Sequence, residues 1–257
     1  MGARVDGLFR YPVKGLSAQN LDALTLALGE GVPGDRAYGF ARHNSGFDPQ
    51  NPRPLPKSRF VVLARDPALA LVNAHFDLGT QQLTLSVADE VRSFDVTKDA
   101  GRADAADFLA AFLGYRDDET PRLVSAAPHK FTDVSVVSKA MMNAVSLINA
   151  DTVAAFGAQV GHAIDPARFR GNIVFSGAPA WSELDWVGRE IEVGEVRLEV
   201  VKRTKRCPAT EVNLERGTRD LDVPGLIRAH HGHSDMGIYA EVRRAGRIVP
   251  GDHVRPI

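Results

Sequence analysis

The chain has a single cysteine, Cys207, in 257 residues. That excludes an intramolecular disulfide and a cysteine-ligated iron–sulfur cluster, and it fits a reducing compartment. A CxxC pair, a Walker loop, a GxSxG elbow and an HExxH helix are all missing, so the common redox, nucleotide-binding, hydrolase and zinc-protease templates do not apply. Net charge is nearly absent too, at a formal −1. Nothing global attracts a polyanion, and any basic site has to be local. Aromatic residues make up 7% and few interleave with the basic ones, which argues against a nucleic-acid-binding surface. No apolar run reaches membrane-spanning length, and the N-terminal MGARVDGLFRYPVKG lacks the apolar stretch of a secretory signal. It opens Met-Gly, but Asp6 stands where a myristoylation signal needs Ser or Thr. The expectation is a cytoplasmic protein with no membrane association.

What is present is ordinary globular material, 44% hydrophobic and 25% charged, long enough for one broad domain or two smaller ones. Period-two alternation predicts strands around Val5–Phe9, over 36–42, 59–65, 69–76, 82–87 and 91–96, and again at 169–175, 189–193 and 196–203, while 21–28 is ambiguous between helix and strand and leans towards strand. Two more are expected between 236 and 254, with Ala245-Gly246 between them. Helices are few. One is predicted over 103–114, with Ala105, Phe108, Leu109, Phe112 and Leu113 on one stripe and Gly114 as its stop; another follows a cap at Asn149 or Asp151; a short third lies at 221–232. Residues 44–58, rich in Pro, Asn and Ser, carry no period and read as a long loop of the kind that gates or binds. The fold class is therefore mainly β with some helices (α+β), and closing the strands into a barrel would remove exposed edges. The acidic, apolar-poor YRDDETP at 115–121 marks a soft boundary, giving a smaller β-rich region at 1–118 and a second region at 119–257.

The most informative stretch is VKRTKRCPATEV, 201–212. Four of the five residues from Lys202 to Arg206 are basic. On a regular strand Arg203, Lys205 and Cys207 share one face while Lys202, Thr204 and Arg206 share the other. Nearby cations favour a thiolate. The plainer reading is a small buried hydrophobe beside a solvated basic face. Histidines cluster only at His230, His231 and His233. A metal reading is weak there, since Asp235 is the one carboxylate close in sequence, and cationic side chains near a helix C-terminus are the plainer account. Arginine recurs beside turns: Arg36 after Gly34-Asp35, Arg168 and Arg170 before Gly171-Asn172, and Arg206 next to the cysteine. Gathered around one thiolate, such residues would form a pocket for an anionic ligand bearing a thiophilic metal.

YPVKG at 11–15, GDRAY at 34–38, FRGNIV at 169–174, Trp181, Arg206-Cys207 with Thr210, and Gly237-Ile238-Tyr239 leading to Gly251-Asp252 occur in an order that resembles the MOSC family, named for the C-terminal domain of molybdenum cofactor sulfurase. The resemblance covers almost the whole chain and implies a MOSC-type β-barrel preceded by the family's N-terminal β-barrel region. It implies a molybdenum cofactor with Cys207 as the protein ligand to molybdenum. Lys14, Arg36, Arg170 and Asn172 would hold the pterin and its phosphate, and Arg206 would lie beside the metal. Relatives often carry serine after that lysine, where this chain has Gly15; a backbone contact survives the change and a hydroxyl contact does not. The activity implied is that of amidoxime-reducing proteins, reduction of small N-hydroxylated substrates (hydroxylamines, amidoximes, N-hydroxylated bases). Electrons would come from a separate reductase or ferredoxin-like partner. The alternative is a cofactor or sulfur carrier that uses a Cys207 persulfide without turning over a substrate.

Overall fold

The computed structural model describes residues 2–138 and 140–257. An eight-stranded sheet forms its main layer. Its order is Val254–Pro256, Glu190–Val193, Val196–Lys205, Asp235–Arg244, Val145–Asn149, Ile173–Ser176, Arg4–Arg10 and Gln19–Leu21. Every neighbouring pair is antiparallel except Val145–Asn149 with Ile173–Ser176. That parallel pair is linked by the crossover helix Ala150–Val160, as parallel pairing requires. Asn149 caps the helix, its side-chain oxygen accepting from the Asp151 amide. The sheet curls until its ends meet. Val5 N–H donates to Asp252 O and Val254 N–H to Ala3 O, both at 2.9 Å, and Gly251 N–H donates to Val5 O. Closure leaves few free edges. Inside it, Val196, Leu198 and Val200 alternate with charged neighbours and are fully buried, as are Leu147, Ile238 and Phe175. Trp186 stacks on Phe175 from the turn after Trp181.

A second core lies under the remaining N-terminal elements. Tyr38–Ala41 pairs with Arg122–Ser125, and Asn73–Phe76, Gln82–Val87 and Glu90–Asp95 form an antiparallel meander. The helix Asp99–Leu113 turns Ala105, Phe108 and Leu109 onto this core and ends at Gly114, whose φ of +68° suits the left-handed cap. Among the described residues the chain is thus mostly β with three α-helices.

Three expectations need correction. Residues 59–65 do not form a strand: apart from an isolated bridge at Phe60, they turn, because Val61, Val62 and Leu63 all bury side chains and leave no exposed face to alternate with. The strand expected over 69–76 starts only at Asn73, because Pro67 opens a 3-10 turn through Leu71. The alternation expected around Cys207 is broken by register shifts at Val200/Lys202 and Arg203/Lys205. The strand stops at Lys205, and Cys207 instead precedes a 3-10 turn led by Pro208.

Glu183 is fully buried, held by Asn149 Nδ2 at 3.2 Å and Thr152 Oγ1 at 2.8 Å, while its Oε1 has no partner. Burial raises its proton affinity, against those hydrogen bonds. A raised folded pKa means that its contribution is full below the unfolded value and fades as pH rises through the folded one. Glu183→Gln removes that dependence. Urea denaturation from about pH 4 to about pH 7 should show the wild type losing stability relative to the variant as pH rises; parallel curves would refute this.

Candidate functional site

A cavity of about 300 Å³ opens beside the end of the Val196–Lys205 strand. Among the described residues, nine of its lining side chains are lysine or arginine and one, Asp133, is acidic. In a chain of formal charge −1, that imbalance defines a local anion site. Cys207, Lys14, Arg36, Arg170, Asn172 and Arg206 all line this cavity.

Arg36, Arg170 and Arg206 are held by backbone oxygen as much as by counter-charge. Arg36 follows Asp35 in the turn after Val32, at φ +46°, and Arg170 ends a 3-10 turn at φ +55°. Non-glycine residues in this region carry roughly 1–3 kcal/mol of strain, which persists where the surroundings over-determine it. Here they do. Arg36 reaches Asp35 Oδ2 at 2.5 Å and Arg170 O at 3.1 Å, and Arg170 donates to Leu16 O at 2.6 Å. Both guanidiniums lie over the buried Tyr11 ring, 4.5 and 4.3 Å from its centroid. Arg206 donates to Met236 O and, at 2.8 Å, to Phe169 O, and lies over the Phe169 ring. Gly237 makes room for it: at φ +74°, a β-carbon there would meet Leu147 O at 2.5 Å and Arg206 Nη2 at 3.1 Å.

Burial lowers the proton affinity of Arg170 and of Arg206, each to about 10, partly countered by Tyr11 for the first and Tyr239 for the second. For Arg36 the burial penalty is more than offset by Asp35, and its pKa is raised. Arginine keeps its charge under these shifts, so the floor of the cavity carries buried positive charge that an anion would relieve.

The Asn172 side chain is fully engaged within the protein. Its Nδ2 donates to Phe9 O and Asp35 Oδ1, and its Oδ1 accepts from the Ser146 amide and hydroxyl. Both amide hydrogens and both lone-pair positions are engaged. Asn172 braces Asp35, and through it Arg36. Arg168 is likewise committed, in a bidentate pair with Asp220 at 2.6 and 2.8 Å.

Lys14 is buried, bonded to Phe131 O at 2.9 Å and to Asp133. Gly15, beside it, has φ +89° and a missing β-carbon that would lie 3.0 Å from Val61 O. A serine does not fit there without strain.

Lys57 and Asp133 were not anticipated as site residues. Lys57 comes from the end of the 44–58 segment, which has no strand or helix before it and is pinned by Phe47, buried against Phe60 and Phe131. Burial opposes the Lys57 charge, but the nearby Cys207 sulfur first, then Asp133 and Tyr239, outweigh it and raise its pKa. Thr204 lines the same cavity with a hydroxyl that has no partner in the protein. Nothing local in the sequence distinguishes Lys57 or Asp133 from surface charge.

The histidines form no such site. His231 ends the helix Val223–His231, bonds Gln159 at 2.9 Å and packs 4.0 Å from the Trp181 ring. Partial burial, then His233 and His230, lower its pKa. Among the described residues no group of three His, Cys, Asp or Glu is placed to hold a metal.

A strongly basic cavity lined by one half-buried thiol lies beside the eight-stranded sheet and suits an anionic ligand. The MOSC domain model matches residues 129–255 and the MOSC N-terminal beta barrel domain model matches 2–125. The chain belongs to the MOSC family, a family associated with molybdenum cofactor binding. Mitochondrial amidoxime-reducing component 1 of Xenopus laevis is 24% identical over 293 residues, spanning 97% of this chain and 81% of that protein. Among solved structures, the YuaD protein from Bacillus subtilis aligns with a TM-score of 0.44 at 13% identity, covering 99% of this chain and 94% of that one. YiiM from Geobacillus stearothermophilus aligns over 44% of this chain and 53% of its own, with a TM-score of 0.35 at 17% identity. Among the described residues no helix is long and apolar enough to cross a membrane.

Asp133 gives the site a pH signature. Its half-open side chain is opposed by desolvation, but Lys14 first, then Lys57 and Arg36, hold its pKa down to about 2. A depressed folded pKa contributes stability above the unfolded value of 3.8 that is lost as pH falls through about 2. Asp133→Asn should therefore flatten the acid limb of a denaturation-midpoint profile between about pH 2 and pH 5. An unchanged limb would remove Asp133 from the account.

Proposed function

We propose that the protein is a molybdenum-cofactor oxidoreductase that reduces small N-hydroxylated compounds such as hydroxylamines and amidoximes, with Cys207 as the protein ligand to the metal. The observation that carries the reading is the cavity itself: a half-buried sulfur lining a chamber that, among the described residues, nine cations and one acid also line. The named activity of the amidoxime-reducing relative supports the substrate class.

The residues fit such a group. A pterin phosphate needs fixed, planar or point cations, and Arg36, Arg170 and Lys14 supply them at the cavity floor. Arg206 keeps N–H groups beyond those given to Met236 O and Phe169 O. The unpartnered Thr204 hydroxyl offers a further contact. The thiolate of Cys207 suits a thiophilic metal. When bound, the cofactor supplies the two-electron chemistry of N–O reduction.

The chain's own residues set the conditions for it. Tyr11, beneath Arg36 and Arg170, fixes both guanidiniums before any ligand arrives, so little ordering entropy is lost on binding. Asn172 holds Asp35, which orients Arg36. Lys57 lines the cavity together with Cys207 and brings a cation there from the 44–58 segment. Reducing a hydroxylamine to an amine and water consumes two electrons and two protons, and Lys57 Nζ is one group able to hold a proton there.

Freshly isolated protein should contain molybdenum near one equivalent by elemental analysis and should reduce benzamidoxime with an artificial donor. Cys207→Ala should fold normally and lose turnover by at least about 100-fold. Full turnover in that variant defeats the assignment. A persulfide on Cys207 in a wild type with no turnover points instead to the carrier.

A further inference from the structure

Among the described residues, six of the nine cations that line the chamber are fixed by the protein. Lys14, Arg36, Arg168 and Arg203 each meet a carboxylate, and Arg170 and Arg206 are held by carbonyls. A seventh, Lys57, lies near the Cys207 sulfur and Asp133. Two are left, Lys202 and Lys205, both exposed and neither in an ion pair among the described residues. Asp235 stands opposite Lys205 in the strand register but forms no ion pair with it. We propose that these two lysines, with Thr204 between them, bind an acidic group carried by the substrate itself. The preferred substrate is then an N-hydroxylated compound bearing a carboxylate or a phosphate, an inference that rests on the molybdenum reading of the site.

Residues three apart point to opposite faces of a regular strand. The register shift between Arg203 and Lys205 cancels that opposition, and both lysines line the chamber that Cys207 also lines. Thr204 adds an independent sign of a ligand. Its hydroxyl is buried, has no partner in the protein and belongs to the same chamber. Leaving a buried hydroxyl unpaired is unfavourable, and an oxyanion that accepts its hydrogen removes the penalty. A hydroxyl has one donor and two acceptor positions, enough for this group and for a cofactor contact as well.

The two kinds of cation suit different ligands. Guanidiniums locked by carbonyls and by the Tyr11 ring are preorganised for a group that stays. Lys202 and Lys205 are hydrated point charges on flexible stems, which attract an anion without fixing its geometry and release it easily. That matches a molecule that enters and leaves at every turnover. With a formal net charge of −1, the whole protein exerts no attraction on a small acid, so the pull has to come from this local charge. A neutral compound gains nothing from it.

Inorganic phosphate is the first probe, against cofactor-free protein at about 20 mM salt, where screening is weak. Two phosphates per chain should bind, one lost in Arg170→Gln and the other in Lys202→Gln/Lys205→Gln. Arg243→Gln/Arg255→Gln removes the same charge from positions that do not line the chamber and should leave both. In loaded protein, benzamidoxime is compared with its para-carboxylate and para-phosphonate derivatives. The better acid derivative should exceed the parent in kcat/KM by about tenfold or more, mainly through KM, and the lysine double variant should bring that ratio close to one. Which derivative leads tells a carboxylate-bearing substrate from a phosphate-bearing one. A single phosphate per chain, lost in Arg170→Gln alone, a wild-type ratio near one, or a ratio unchanged in the double variant overturns the proposal. Failure of the loaded wild type to reduce any of the three compounds overturns the reading of the site, and the phosphate count still decides the subsite.

Discussion

Positive charge is gathered at one place against its own repulsion and against the cost of burial, and the rest of the molecule is arranged to permit this. Three guanidiniums converge there with one carboxylate, Asp35, directly bonded to them. The remaining compensation comes from neutral partners: carbonyls of Leu16, Phe169, Arg170 and Met236, and the faces of Tyr11 and Phe169. Carbonyl dipoles stabilise a guanidinium without cancelling its charge, so the cavity stays electropositive where carboxylates would have neutralised it. Lys14, Arg168 and Arg203 are instead paired with carboxylates, Asp133, Asp220 and Asp185.

Such an arrangement needs a rigid frame. The carbonyls belong to segments far apart in the chain: Arg36 bonds a partner 134 residues away, Lys14 one 119 away and Asn172 one 137 away. Their common scaffold is the closed sheet, whose strands Arg4–Arg10 and Ile173–Ser176 bring Tyr11 beside Arg170 and whose strands Val196–Lys205 and Asp235–Arg244 bring Arg206 beside Met236. Left-handed backbone at Arg36 and Arg170 turns these side chains into the chamber. The register shifts before Cys207 serve the same end, ending the strand so that the sulfur meets the cavity instead of the hydrophobic interior.

Much of this was legible in advance. Alternation located most strands, and a glycine or asparagine marked the helix ends at Gly114 and Asn149, because these signals depend on neighbours a few residues away. The single cysteine amid basic residues singled out the right stretch. Alternation failed at 59–65, where a run buried on every side turns instead of pairing, and at 203–207, where bulges reset the faces. Lys57 and Asp133 gave no signal, since a lysine in a Pro-rich loop and an aspartate in an irregular stretch look like solvated charge until the fold is closed.

The sequence by itself determined the mainly β composition, the strand and helix positions, the lone thiol and the supply of cations, all properties of local pattern and residue count. Only the tertiary structure decided which cations share a chamber, that Asn172 braces Asp35 with no free amide group, that Arg168 is committed to Asp220 while Arg170 is not, and that Gly15 excludes a side chain. The reason is that a polar group's role depends on which partners reach it. In this chain those partners arrive from more than a hundred residues away, on strands whose register is set by the burial of other side chains.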